Sequence, residues 1–312
     1  MSNKAEFRHV SVLKDEAIEL LSLKEGGRYF DGTLGGGGHT EKILSKTTLA
    51  TVYCTDLDER AIAAAKDRLE KYADRLFIYH DNFKNFAEIF DGEKSFDGIL
   101  LDLGVSSPQL DDRSRGFSYV AENERLDMRM DERQNFSAYD VVNGYEEKEL
   151  ERVIREYGEE RFSRQIAKNI AEERRKSPIE TCGRLVEIID RSIPFKFKRD
   201  THPAKKTFQA IRIEVNGELE GLDKALYAMA DKLSPTGRLA VITFHSLEDR
   251  IVKNVFKDLC TGCTCDRRLP VCVCHRTQKC IEITKKPVVA GEKELKDNPR
   301  AKSAKLRVIE KI

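Results

Sequence analysis

Hydrophobic and polar positions alternate between short apolar runs and amphipathic stretches along most of the chain. Val10, Val12, Leu13, Ala17, Ile18, Leu20 and Leu21, set among charges, predict a helix from about Lys14. Tyr29 and Phe30 predict a short buried strand ending at Asp31, and a glycine-rich turn then leads into a helix through Ile43 and Leu44. The run 49–55, closed by Asp56, predicts a second strand, and the alanine-rich stretch from Glu59 to Tyr72 a helix. Further strands are predicted at Leu76–His80 and Phe96–Gly104. This β-α-β-α rhythm implies a parallel, doubly wound sheet, on which ligands bind outside the carboxyl ends of the strands. Asp31, Asp56, Phe83 and Asp102 would then share one rim.

The rhythm stops after Leu110. Residues 111–130 read as a polar loop, and 137–193 carry helical patterns punctuated by Gly144, Gly158 and Pro178, so a helical insertion is expected. One long helix is predicted from about Phe208 to Leu233, then a turn at Ser234-Pro-Thr-Gly237, a strand at Arg238–Phe244, a helix at Glu248–Leu259 and a last strand at Lys305–Ile309. The sheet-forming part is therefore discontinuous, with expected divisions 1–112, 113–206 and 207–312.

Composition narrows the picture modestly. At 312 residues, two domains or one domain with an insertion both fit, and 40% apolar with 35% charged residues is an ordinary globular balance. The charged N-terminus lacks the apolar core of a signal peptide and no apolar run is long enough to span a bilayer, so a cytoplasmic protein with no membrane partner is expected. A net charge of +1 leaves any claim on nucleic acid to a local patch. From Arg184 to Arg212 eight basic residues stand against three acids, and Lys196, Lys198, Lys205 and Lys206 flank or follow the alternating Phe195 and Phe197. Phosphate contacts with bases stacked on rings, as on single-stranded RNA, are one reading; a solvated basic face over two core phenylalanines is the other.

The chemistry centres on Asp31-Gly-Thr-Leu-Gly-Gly-Gly-Gly-His39. Backbone N–H groups of a glycine turn opening a helix can cradle a ligand, although a glycine run is also a common linker. The spacing G-x-G-x-x-G of nicotinamide sites is absent, and the loop ends Gly-His-Thr where a P-loop needs Gly-Lys-Ser/Thr. Acids before the glycines and at the end of the next strand instead suit a ligand with a cationic amino-acid part and a ribose diol, as in S-adenosyl-L-methionine. Asp56 has two open roles, ribose acceptor and helix cap. Methyl transfer is an in-line displacement that needs positioning and no metal. Attack through carbon 5 of cytosine would call for a nucleophilic thiolate, usually in a Pro-Cys pair, and no proline here precedes cysteine. An exocyclic amine needs only acceptors on its N–H groups. Asp102, Ser106 and Ser107 stand where that work is done, unless they are a strand-ending Asp and a Ser-Pro turn.

For His9, His39 and His245 a hydrogen-bonded structural imidazole is the commoner case, although a histidine at a glycine loop can touch the ligand, and none is assigned as a general base. The Cys-rich loop 260–280 holds Cys260-Thr-Gly-Cys-Thr-Cys265, Cys272-Val-Cys-His275 and Cys280. It contains one C-x-x-C, Cys260 and Cys263, and C-x-C pairs otherwise, which leaves structural zinc and reduced thiols both open.

Seven stretches together resemble one family. They are His9-Val-Ser-Val-Leu13, Asp31–His39, Gly98-Ile-Leu-Leu-Asp-Leu-Gly-Val-Ser-Ser-Pro-Gln-Leu110, Arg125-Leu-Asp-Met-Arg-Met130, Thr207-Phe-Gln-Ala-Ile-Arg-Ile213, Phe244-His-Ser-Leu-Glu-Asp-Arg250 and Asn298-Pro-Arg-Ala-Lys-Ser-Ala-Lys-Leu-Arg307. In order and across nearly the whole chain, they are similar to the bacterial 16S ribosomal RNA cytosine-N4 methyltransferase (MraW) family. The resemblance implies an α/β, Rossmann-like class I methyltransferase sheet with an inserted helical domain, and methylation of N4 of a cytidine in the decoding centre (P site) of the small subunit. It implies S-adenosyl-L-methionine contacts at Gly36, Gly37, Gly38, His39, Asp56, Phe83, Asp102 and Gln109. The implied partner is 16S ribosomal RNA in the small subunit, with the oligomeric state open and a homodimer among the options. Cys260 and Cys280 look additional to the family's cysteines, so a metal is not inherited from it. Two other readings compete: a methyltransferase of another substrate, and a zinc-containing RNA-binding or assembly protein.

Overall fold

The computed structural model describes residues 11–92, 95–198, 202–266, 271 and 273–312. His9, Val10, Arg199, Asp200 and Cys272, which the sequence singles out, lie outside the described residues. The chain forms two compact units, Met1–Gly104 with Glu220–Ile312, and Val105–Leu219. The sequence divisions at 112/113 and 206/207 lie further along and further back in the chain respectively.

In chain order the first unit begins with α1 (Lys14–Leu21), β1 (Arg28–Asp31), α2 (Gly38–Lys46), β2 (Thr51–Asp56), α3 (Glu59–Leu69), β3 (Leu76–His80), α4 (Phe86–Ile89) and β4 (Phe96–Asp102). The second unit holds α5 (Ser107–Asp111), α6 (Ala138–Gly144), α7 (Glu147–Glu156), α8 (Ser163–Arg174), α9 (Cys182–Ser192) and α10 (Lys205–Asn216). The first unit resumes with α11 (Leu222–Asp231), β5 (Leu233–Thr243), α12 (Ser246–Leu259), β6 (Cys280–Glu282), α13 (Glu292–Asp297) and β7 (Lys305–Lys311).

All seven strands join one sheet of order β3-β2-β1-β4-β5-β7-β6. Contacts among β1 to β5 are parallel, and β7 runs antiparallel to both β5 and β6. The period of two along each strand delivers side chains to two cores. Tyr29, Val52, Cys54, Leu100, Ala240 and Ile242 face Ala17, Ile18, Leu21, Ile43, Leu44, Ala65 and Leu69 of α1, α2 and α3. Phe30, Tyr53, Ile99, Leu101, Leu239 and Val241 face Phe86, Leu226, Met229, Val252 and Phe256 of α4, α11 and α12. Burial on both faces is why the central strands read as continuous apolar runs. Phe96 packs within 5.0 Å of Phe90 and 5.5 Å of Phe86, ring centre to ring centre, on the second face.

Three expectations are corrected by backbone geometry. The helix predicted from Phe208 to Leu233 is two helices: Gly217 adopts φ +55° and closes α10, and Gly221 at φ +69° precedes α11. The interruption is where the chain passes from one unit to the other. The turn expected at Ser234–Gly237 falls inside β5, which begins at Leu233, and survives only as a shift in its pairing with β4, where Phe96 pairs with Leu233 while Gly98 pairs with Arg238. Cys280 is a buried member of β6, a three-residue strand that is too short for its alternation to stand out in the sequence.

The second unit packs Leu150, Ile154, Ile166, Ile170, Leu185, Ile189, Phe208 and Ile211 into its own core. The polar stretch 111–130 is partly buried there: Leu126 and Met128 enter the core, and the buried Arg115 guanidinium donates to the carbonyls of Arg129 at 2.8 Å and Met130 at 3.2 Å. No helix among the described residues is long and apolar enough to cross a membrane.

Phe96→Ala removes a ring from the centre of the aromatic group without touching the rim. It is expected to cost about 3–5 kcal/mol of stability in urea unfolding with an unchanged slope; a loss under about 1 kcal/mol would show that the site collapses freely around the gap.

Candidate active site

The strand order reverses between β1 and β4, whose neighbours β2 and β5 lie on opposite sides. A crevice opens beyond the carboxyl ends of strands at such a switch point. Asp31 ends β1 and Asp102 ends β4, so two carboxyl groups flank it, and Asp56 ends the adjoining β2.

Asp31 is fully buried and organises the glycine turn. One of its oxygens accepts the Thr33 N–H at 3.2 Å, and the other accepts the Thr40 hydroxyl at 2.7 Å. Both ends of the turn are thereby fastened to one carboxylate. Asp56 reaches across from β2: Oδ2 accepts the Gly35 N–H at 2.7 Å and Oδ1 the Asp58 N–H at 2.8 Å. The helix cap before α3 is the neighbouring Asp58, which accepts the Arg60 N–H at 3.0 Å. Thr33 also ties the turn to β4, its Oγ1 accepting the Asp102 N–H at 2.6 Å.

Two of the glycines are demanded by the protein's own packing. At Gly38 an added Cβ would fall 2.1 Å from Ser11 Oγ, and at Gly37, φ +74°, 2.9 Å from Leu69 Cδ1. Gly37 forms the N-cap of α2 in a left-handed conformation. His39 is buried in the first turn of that helix, and its Nε2 lies 3.2 Å from the Val12 carbonyl. A carbonyl only accepts, so Nε2 carries the proton and Nδ1 is the atom set 3.9 Å from Asp102 Oδ2. Phe83 opens a short 3₁₀ turn after β3, half-buried beside the second core.

Burial of these acids sets their electrostatics. It pushes Asp31 up to about 6, against the opposing hydrogen bonds from Thr40 and Thr33. It pushes Asp56 up to about 6 as well, against the N–H groups of Asp58 and Gly35. Asp102 is raised well above the usual carboxylate range, first by burial and then by repulsion from Asp31, Glu248 and Glu294. Its Oδ1 is buried without a hydrogen-bond partner among the described residues. Buried carboxyls crowded at one rim are complementary to a ligand that brings positive charge and hydroxyl donors. S-adenosyl-L-methionine has both, in its sulfonium and ammonium and in its ribose.

In the second unit, Ser106 and Gln109 are occupied with each other. Ser106 Oγ accepts the Gln109 N–H at 3.4 Å and Gln109 Oε1 accepts the Ser106 N–H at 3.0 Å, a reciprocal cap on α5. Ser107 is the first residue of that helix. The four lysines differ. Lys198 pairs with Asp190 at 2.8 Å and Lys206 donates to the Glu159 carbonyl at 3.0 Å, whereas Lys196 Nζ lies 5.1 Å from the Phe197 ring centre and Lys205 begins α10 on an exposed face. Phe195 is 80% exposed and Phe197 44%, so these are not core phenylalanines. Arg161, which the sequence did not single out, places its guanidinium 5.0 Å from the centre of Phe197. Only the fold could bring it there, because it comes from a different part of the chain.

His245 is the N-cap of α12, in a capping box with the buried Glu248. Among the cysteines, Cys263, Cys265 and Cys274 converge, with sulfurs within 4.8 Å of one another. Of the C-x-x-C noted in the sequence, only Cys263 is in this group: Cys260 ends α12 beside the core, where burial pushes its thiol up to about 12.

Residues 6–312 match the model of the MraW methylase family. The chain belongs to that family. It is 53% identical over 310 residues to a ribosomal RNA small subunit methyltransferase H of Clostridium botulinum (strain Loch Maree / Type A3), covering 98% of this chain and 100% of that protein. It is 50% identical over 311 residues to a protein of the same name from Clostridioides difficile (strain 630), with coverage of 98% and 100%. Among solved structures, an rRNA methylase from Streptococcus thermophilus aligns at 12% identity and a TM-score of 0.39, covering 96% of this chain and 93% of that one. Family membership and the sheet make this an α/β, Rossmann-like class I methyltransferase whose methyl donor is S-adenosyl-L-methionine.

The raised acids give a signed pH dependence. Asp31 and Asp56 bind protons more tightly when folded than at the ordinary value of 3.8, so they favour the ligand-free fold below that value, and this contribution is lost as pH rises through about 6. A cationic ligand gains from the same ionisation. Calorimetry is expected to show S-adenosyl-L-methionine binding about tenfold tighter at pH 7 than at pH 5; affinity that is flat or falls with pH would mean these acids do not face its charge.

Proposed function

We propose that this methyltransferase transfers the methyl group of S-adenosyl-L-methionine to the exocyclic N4 of a cytidine in the decoding centre (P site) of 16S ribosomal RNA in the small subunit, in the cytoplasm. The full-length likeness to proteins named ribosomal RNA small subunit methyltransferase H supports the RNA class. The observation that carries the chemistry is the Asp102 carboxyl, largely buried at the end of β4 with Oδ1 unpartnered among the described residues.

When bound, S-adenosyl-L-methionine supplies an electrophilic methyl group. Gly36, Gly37, Gly38 and His39 would hold its amino-acid part, Asp56 its ribose hydroxyls, Phe83 its adenine, and Asp102 and Gln109 would complete the contacts. An exocyclic amine is a poor nucleophile because its lone pair is conjugated into the ring. A carboxylate accepting a hydrogen bond from N4 draws the nitrogen toward the geometry for attack and takes up the positive charge that develops on it. The high proton affinity of Asp102 suits that role. Ser107 would be a further acceptor, and Ser106 would act through the cap that orders this turn. Phe195 and Phe197, with Lys196, Lys205 and Arg161, would form an RNA platform on the second unit, the rings stacking on bases and the cations meeting phosphates. Lys198 and Lys206 would contribute less, since each already has an intramolecular partner.

Nucleoside mass spectrometry of small subunits lacking the modification, incubated with enzyme and donor, is expected to reveal N4-methylcytidine, at a rate lowered at least about 100-fold by Asp102→Asn. Methylation at another atom, or unchanged turnover in that variant, would overturn the assignment. Charge reversal at Lys196 and Lys205 is expected to weaken RNA binding several-fold and to flatten its salt dependence by about one to two units of slope, leaving donor affinity unchanged; an identical salt slope would remove this face from the interface.

A further inference from the structure

Between Leu259, where α12 ends, and Cys280, where β6 begins, no described residue belongs to a helix or strand. Among the described residues of this segment, the two valines are not held by apolar burial, since Val271 is 71% exposed and Val273 66%. Its ends are moored: the Lys279 N–H donates to the Leu259 carbonyl at 2.9 Å, and the Arg276 guanidinium to the Asp258 carboxylate. Between those moorings, three cysteine sulfurs come together.

We propose that Cys263, Cys265 and Cys274 bind a structural zinc ion that fastens this segment into a closed loop. All three sulfurs lie within 4.8 Å of one another, and Cys263 and Cys274 are 3.6 Å apart. A disulfide would place two of them about 2.05 Å apart. Thiolates on a tetrahedral ion with zinc–sulfur bonds of about 2.3 Å lie about 3.8 Å apart, close to the 3.6 Å between Cys263 and Cys274. The backbone N–H groups of Val273 and Cys274 each point at Cys265 Sγ from 3.3 Å, so two donors converge on one sulfur. That arrangement stabilises a thiolate and orients it, as outer hydrogen bonds do around metal ligands.

The donor set selects the ion. Three soft sulfurs in an irregular loop favour zinc over magnesium or calcium, which take oxygen. Three of the four corners of a structural site are in place. Each thiol gives up its proton on binding, and the ion supplies the cross-link that a segment without a core of its own lacks. Cys260 and Cys280 are outside the site, the first beside the core at the end of α12 and the second buried in β6. The role is structural and independent of the methyl-transfer reading, since no step of that displacement requires a metal.

The test is metal content of the full-length protein, expressed with zinc and purified under reducing conditions without chelator. Elemental analysis is expected to find about one zinc per chain, falling below a tenth of that in the Cys263→Ser, Cys274→Ser double variant and unchanged in Cys260→Ser. If the double variant fails to fold by circular dichroism, titration of wild-type thiols with a mercurial reagent in the presence of a zinc indicator decides instead, with zinc release tracking modification of these three cysteines. Wild-type protein that retains under a tenth of an equivalent after equilibration with zinc and gel filtration would overturn the site. So would a double variant that keeps its metal, or a Cys263–Cys274 disulfide found by mass spectrometry in reductant-purified protein.

Discussion

The buried carboxylate of Asp31 is the constraint from which the site follows. A carboxylate removed from water must have its oxygens satisfied, and here one takes the Thr33 N–H at the start of the glycine turn and the other the Thr40 hydroxyl in the helix after it. The turn is therefore closed against the end of β1 and cannot open without stranding a buried charge. Thr33 passes the constraint on to β4 by accepting the Asp102 N–H, and Asp56 secures the loop from β2 through Gly35. Three strand ends and one helix start are coupled through these few bonds.

That coupling is expensive, and its cost has a functional meaning. Burial raises the proton affinity of Asp31, Asp56 and Asp102, so ionising them in the ligand-free site is a strain. A cation entering the crevice relieves that strain, whereas an anionic nucleotide phosphate would add to it. The same geometry thus favours a sulfonium donor over an anionic phosphate group. The sheet can hold such acids in place because it is buried on both faces, with Tyr29 and Phe30 anchoring β1 into opposite cores.

Much of this was legible in the residues. The strands at 28–31, 51–56, 76–80 and 96–102 are short apolar runs ended by polar groups, and the acids that end three of them declare a common rim. The local patterns failed where a decisive contact came from far along the chain or from backbone conformation. The division of the long helix into α10 and α11 rests on left-handed glycines at 217 and 221, each of which a helix could have absorbed at modest cost. The pairing of β6 with β7 joins segments separated by α13, and three residues carry too little alternation to announce a strand. Arg161 meets Phe197 only because α7, α8 and α9 fold back on one another.

The cysteines and the glycine turn show the division most sharply. The sequence alone determined that a glycine turn lies between a strand and a helix, that it lacks the nucleotide spacings, and that acids flank it, because periodicity and residue chemistry are local properties. It also established that the cysteines are clustered. Which of them meet was decided by the tertiary structure: burial draws Cys260 and Cys280 toward the core, and Cys274 lies against Cys263 and Cys265. Likewise, the glycines at 37 and 38 looked like room made for a ligand, and the fold reveals that Leu69 and Ser11 also require them. A contact between distant residues is selected by the packing of everything between them, and that is information no local pattern carries.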